Sequence, residues 1–190
     1  MKQPYHEGSW FAVPLCDGGY ASGLAARLAP SGKIMLAYLF GPKRSAPPAL
    51  AELAELTPAD ALKVLRVGDM GLASGRWPVL GSVADWQPAA WPMPPFLRRA
   101  EQLHRAWRVT YLDSDPSRPE REESAPYDTE GLDSDSLYGF GSTELLLSRL
   151  LGAMPPNAHS LPGARRAHEA LGAHEGTGQG TYPAVTAPGN

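Results

Sequence analysis

Cys16 stands beside Asp17, with His6 shortly before them and His104 far along the chain, so thiol, carboxylate and imidazole groups are all present. Nucleophilic catalysis needs a general base and an orienting group within hydrogen-bond reach of the thiol. No local signature joins these residues, and a lone cysteine is more often a small buried hydrophobe. Cys16 is therefore expected in the core, and no catalytic residue is assigned. A small hydrolase using Cys16 is kept as the alternative.

Other chemistry is thinly supported. GLASG at Gly71–Gly75 lacks the Gly-x-Ser-x-Gly spacing of a nucleophile elbow. Neither Gly139-Phe-Gly nor GTGQG in the tail is followed by the lysine of a phosphate-cradling loop. From Asp113 to Glu123 the carboxylates invite comparison with a calcium loop, which needs glycine at its sixth position and glutamate at its twelfth. Arg118 and Ser124 occupy those places. His159, His168 and His174 fall in the C-terminal tail, and one cysteine excludes both a disulfide within the chain and a Cys-rich zinc site. No metal and no cofactor is expected.

The strongest signal is charge. Asp113, Asp115, Glu120, Glu122, Glu123, Asp128, Glu130, Asp133 and Asp135 face only Arg118 and Arg121 within one stretch, which carries −7 in a chain of net charge −3. A solvated surface loop, held down by Arg98, Arg99, Arg105 and Arg108, is one reading. The other is an electrostatic lure for a basic protein, because clustered charge raises association rates by orders of magnitude. These nine acids are the candidate partner-binding residues. Trp77, Trp86, Trp91 and Trp107 near Arg98 and Arg99 could instead stack nucleic-acid bases, but their apolar settings favour the core. With a pI near 5.9, direct nucleic-acid binding is not expected.

The elements that must position these residues follow from pattern. Trp10–Leu15 and Tyr20–Leu28 flank Asp17-Gly18-Gly19 as a hairpin, and Lys33–Phe40 adds a third strand ended by Gly41-Pro42. Links this short dictate an antiparallel meander. A short amphipathic helix is predicted over Ala49–Leu56, a capped helical turn at Thr57–Asp60, and a strand over Leu62–Val67. Gly68–Gly75 reads as a turn-rich connection, and GRWPVLG at Gly75–Gly81 as a sheet edge or a loop packed by Trp77. The spacing of Phe96, Ala100, Leu103 and Trp107 predicts a helix, followed by a strand over Arg108–Leu112 and then the acidic loop. Ser142 or Thr143 should cap a last helix whose apolar face holds Leu145, Leu146, Leu147, Leu150 and Leu151.

The whole is read as an α+β fold: an antiparallel, strongly twisted sheet begun by the meander, with helices at its flank. Residues 1–152 form one domain in this reading. Residues 153–190, rich in glycine, proline and alanine, are expected to be disordered. Lacking a basic start with an apolar run, or some eighteen uninterrupted apolar residues, the chain is expected in the cytoplasm with no membrane partner.

Three stretches carry a resemblance: EGSWFAVPLCDGGYASG, GRWPVLG and DSLYGFGSTELLLSRLL. Over roughly Glu7 to Leu151 the chain resembles the immunity protein 26 family of bacterial polymorphic toxin systems. The landmarks are the strand Phe11–Leu15 and the Gly-x-Trp-Pro-Val-x-Gly element Gly75–Gly81. The resemblance implies a non-enzymatic protein that neutralises a cognate toxin by stoichiometric binding. A basic nuclease would suit the acidic stretch, which would then imitate phosphate.

Overall fold

Alternation of side chains builds a sheet with two apolar faces. In a computed structural model describing residues 4–152, β1 (Ser9–Pro14), β2 (Tyr20–Leu28), β3 (Ile34–Arg44) and β4 (Lys63–Gly68) pair antiparallel in chain order. Because neighbouring residues of a strand point to opposite faces, Phe11, Val13, Met35, Ala37, Leu39, Leu65 and Val67 form one core. Trp10, Leu24, Leu36, Tyr38, Phe40 and Val64 belong to the other. Buried on both sides, these strands read as near-continuous apolar runs.

Strand β3 passes through Gly41-Pro42 where the sequence predicted an end. Its register with β2 shifts between Tyr20 and Ser22, and the resulting bulge accommodates a proline that cannot donate to the ladder. The six-stranded sheet is completed by β5 (Val79–Ser82) beside β1 and by β9 (Leu137–Tyr138), parallel to β4. GRWPVLG thus forms a sheet edge as expected, with Trp77 fully buried.

One face is covered by the last helix. The others are short: α1 spans Leu50–Leu53 and α2 spans Met70–Ala73, the latter lying inside the stretch read as turns. Thr57 and Asp60 form the predicted cap on a single 3-10 turn, Pro58–Asp60, with the Asp60 carboxylate accepting from the Thr57 N–H and hydroxyl. Helix α3 (Phe140–Gly152) starts before the predicted Ser142 or Thr143, whose hydroxyls donate to the Gly139 carbonyl. Its buried face is Thr143, Glu144, Leu147, Ser148 and Leu151, and Leu145 is exposed.

A second, three-stranded sheet covers the opposite face, and here the sequence reading needs its largest correction. Phe96–Trp107 is no helix: β6 (Phe96–Ala100) and β7 (Arg105–Leu112) form a hairpin through a 3-10 turn at Glu101–Leu103. Leu103, counted on the helical face, is 66% exposed at the hairpin tip. Phe96, Val109 and Tyr111 instead lie on the central sheet's second core, and tertiary burial overrides the local period. His104, in the left-handed region at φ 47°, closes a turn without the glycine that would have announced it.

The acidic loop is likewise a strand over much of its length. β8 (Asp115–Ala125) pairs with β7 from Ala106↔Ala125 to Leu112↔Asp115, with Glu120 as the extra residue of a bulge. The architecture is therefore α+β and mainly antiparallel, with a central sheet between a helix and a smaller sheet. Among the described residues no helix is long and apolar enough to cross a membrane. The tail expected to be disordered lies outside the described residues.

Candidate partner-binding surface

Strands β2 and β4 each carry basic residues within apolar runs: Arg27, Lys63 and Arg66. A cation drawn into a core must be paired, and each of these finds an aspartate from the acidic stretch. The Arg27 guanidinium donates to Asp113 at 2.7 Å and to the carbonyls of Ala26 and Pro88. Asp133 accepts from Lys63 Nζ at 2.7 Å and from the backbone N–H of Val64 at 2.9 Å.

Asp135, whose side chain is 2% exposed, accepts from Arg66 at 3.0 Å, from Arg98 at 2.7 Å and from the Tyr111 hydroxyl at 2.7 Å. The Arg66 guanidinium also lies 3.7 Å from the centre of the Tyr111 ring, a cation–π contact. Asp133 and Asp135 further bracket β6 through the backbone of Leu97. Of the nine candidate acids, Asp113, Asp133 and Asp135 therefore have structural work within the chain.

The remaining six occupy β8 and the segment after it. Ser117 donates its hydroxyl and its N–H to Asp115, which holds that carboxyl below the usual range. Glu122 pairs with Arg98 and Glu123 with Arg121. Glu120, Asp128 and Glu130 are exposed, and no cation lies at salt-bridge distance among the described residues. Arg99 fixes the segment carrying Asp128 and Glu130 by donating to the carbonyls of Tyr127 and Thr129. Among the described residues the structure thus gives Arg98 and Arg99, but not Arg105 or Arg108, the restraining part that the sequence allowed, and separates acids tied to the cations of β2 and β4 from those on β8 and the segment after it.

The Gly75–Gly81 element is internal architecture. The Trp77 indole stacks on Phe11 at 5.4 Å and 7° between planes. Phe11 in turn lies over Gly23, where a β-carbon would come within 2.4 Å of the ring, and Trp77 lies over Gly71, where one would come within 2.5 Å. Glycine at these two positions makes the stack possible. Glu144 of α3 closes it, accepting from Trp77 Nε1 at 2.9 Å and from two nitrogens of Arg76 at 2.7 Å each.

Burial pushes the Glu144 carboxyl up, but the bonds from Arg76 and Trp77 outweigh it and hold the group below its ordinary value. A depressed folded-state value gives stability present in full above the unfolded value of about 4.3 and lost as pH falls through the folded one. Glu144→Gln is therefore expected to flatten the acid limb of stability against pH, read by urea unfolding from neutral pH downward. An acid limb identical to wild type would dismiss this account.

Cys16 is exposed, contrary to the core position expected for it, because it follows Pro14 out of β1 into the hairpin turn. Its N–H donates to the Ser148 hydroxyl of α3. Among the described residues no hydrogen bond joins its thiol to a histidine: His6 bonds the Glu7 carbonyl and His104 stacks on Tyr127. The tryptophans are mainly core, with Trp10, Trp77 and Trp91 buried. No group of three or more potential metal ligands occurs among the described residues.

Sequence reasoning missed an apolar cleft of 730 Å³ whose walls include Trp10, Leu50, Leu56, Val83 and Trp91. Those residues come from separate elements, so no local pattern could announce it. Sequence reasoning also passed over the three anchoring cations, whose signal was a charge inside an apolar strand run.

A family model described as immunity protein 26 matches residues 6–107 of the chain. Phe11–Leu15 and Gly75–Gly81 fall inside the match. The third resembling stretch, DSLYGFGSTELLLSRLL, lies beyond it, as do β8 and α3. No curated protein and no solved structure matches.

Proposed function

Because this chain belongs to the immunity protein 26 family, we propose that it neutralises a cognate bacterial toxin by occupying the toxin's surface in a stoichiometric complex. In this reading it is a cytoplasmic member of a polymorphic toxin system, with residues 1–152 acting as one unit. It makes and breaks no covalent bond. The contact surface is the acidic group on β8 and the following segment: Asp115, Glu120, Glu122, Glu123, Asp128 and Glu130. Asp113, Asp133 and Asp135 hold that surface in place. A basic toxin, such as a nuclease whose site accepts phosphate, is the partner this charge fits.

The observation that carries the surface assignment is the division of the acids. Three are spent on cations of the central sheet and β6, whereas Glu120, Asp128 and Glu130 remain exposed without a salt-bridge partner among the described residues.

Co-expression with the toxin encoded by the adjacent reading frame tests this. The intact chain should restore growth. The triple variant Glu120→Lys, Asp128→Lys and Glu130→Lys should keep its unfolding midpoint and bind the toxin about tenfold more weakly or worse, with reduced salt dependence. Failure of the intact chain to rescue growth would refute the function. Full affinity in the triple variant would refute the surface.

A further inference from the structure

Four strands terminate the two sheets, and three of them are short or covered. β5 has four residues and lies close to α1, with Leu50 so near Gly81 that a β-carbon there would meet it at 2.7 Å. β9 has two. The free side of β6 is taken by the acidic stretch: the Leu97 N–H donates to the Asp133 carbonyl at 2.9 Å, and the Leu97 carbonyl accepts from the Asp135 N–H at 2.8 Å.

β8 is different. It spans eleven residues, ends its sheet, and is exposed from residue 118 to 124. Pro116, Pro119 and the bulge at Glu120 interrupt its first half, but pairing with β7 is regular from Arg121 to Ala125. Alternate residues of that run direct N–H and C=O away from β7, and an edge of this kind, uncovered among the described residues, is a template for another strand.

We propose that residues 121–125 of β8 receive an extended, basic strand of the toxin, which joins the three-stranded sheet as its fourth member. This mode of contact rests on the neutralising function proposed above. Residues 120–124 hold three glutamates and one arginine. A second copy of the same edge carries the same net negative charge, which disfavours self-pairing. A strand rich in lysine or arginine meets the opposite balance. Beside the edge, on the outward face of the small sheet, lies a polar depression of 580 Å³ lined by Arg108, Thr110, Glu120, Arg121 and Glu123. One basic side chain of the added strand would meet Glu120 there, which has no salt-bridge partner among the described residues. Main-chain bonds supply affinity in such strand addition, and alternate side chains supply specificity.

Amide hydrogen exchange on the full chain, with and without the adjacent-frame toxin inactivated by substitution, tests the mode. The outward amides of 121–125 should gain about tenfold or more protection in the complex. A complex that forms while those amides exchange as in the free chain overturns strand addition and leaves neutralisation standing. No complex overturns both. As a second arm, Glu122→Pro and Glu123→Pro each delete one N–H, outward in one variant and inward in the other. The variant that keeps the wild-type unfolding midpoint should bind about tenfold more weakly, and undiminished affinity in it overturns the proposal.

Discussion

Trp77→Ala is expected to destabilise the protein by about 3–5 kcal/mol, the loss typical of deleting a large aromatic from a filled core. Three contacts vanish together: the parallel stack on Phe11, the packing on Gly71 and the indole bond to Glu144. The void cannot close easily, because Phe11 is itself held against Gly23 and Arg76 still fixes Glu144 at 2.7 Å. Against a typical total of about 5–15 kcal/mol, the variant should be largely unfolded at modest denaturant. Chemical denaturation followed by ellipticity measures it. Trp77→Phe keeps an aromatic ring in the stack but gives up the Glu144 bond and part of the indole's volume, so its loss should be smaller, at about 1–3 kcal/mol. A Trp77→Ala midpoint equal to wild type would show that the stack contributes nothing.

Asp135→Ala should lose about 3–5 kcal/mol by another route, because removing one member of a buried ion pair leaves the other charge uncompensated. Arg66, with a side chain 10% exposed, would keep its guanidinium in the seam between the two sheets without a carboxylate. Arg98 would lose one of its two acidic partners and Tyr111 the acceptor of its hydroxyl. Asp113→Ala is the contrast. That carboxylate is 65% exposed and solvent screens it, while Arg27, though buried, keeps the carbonyls of Ala26 and Pro88, so the expected loss is smaller than for Asp135→Ala. Equal midpoints for the two variants would mean that burial of the Asp135 network does not matter.

The meander was legible because Asp17-Gly18-Gly19 and the later Pro30-Ser31-Gly32 left no room for a crossover, and because apolar runs between them had nowhere to go but a core. Trp77 was legible as packing for the same reason. The β6–β7 hairpin was not. Phe96, Ala100, Leu103 and Trp107 satisfy a helical period, and only the waiting apolar face of the central sheet decides otherwise. β8 was hidden by its charges and prolines, which are tolerated there because the strand is an edge. Cys16 was misplaced by one consideration, its usual preference for burial, when Pro14 and the turn residues beside it pointed outward.

The candidate surface was visible as a run of acids, but its division was not. Which acid meets which cation depends on contacts such as Arg27 with Asp113, Lys63 with Asp133 and Arg66 with Asp135, all distant in sequence. Arg27, Lys63 and Arg66 went unread, although each is a charge within an apolar strand run and must be neutralised.

Those three clasps secure the excursion at its beginning and at its end, while residues 118–132 between them carry little of the interior. Substitutions can therefore accumulate along that strip without disturbing the frame that displays it. A lineage confronted with a changed adversary could rewrite the strip one residue at a time, retaining a foldable chain at every step.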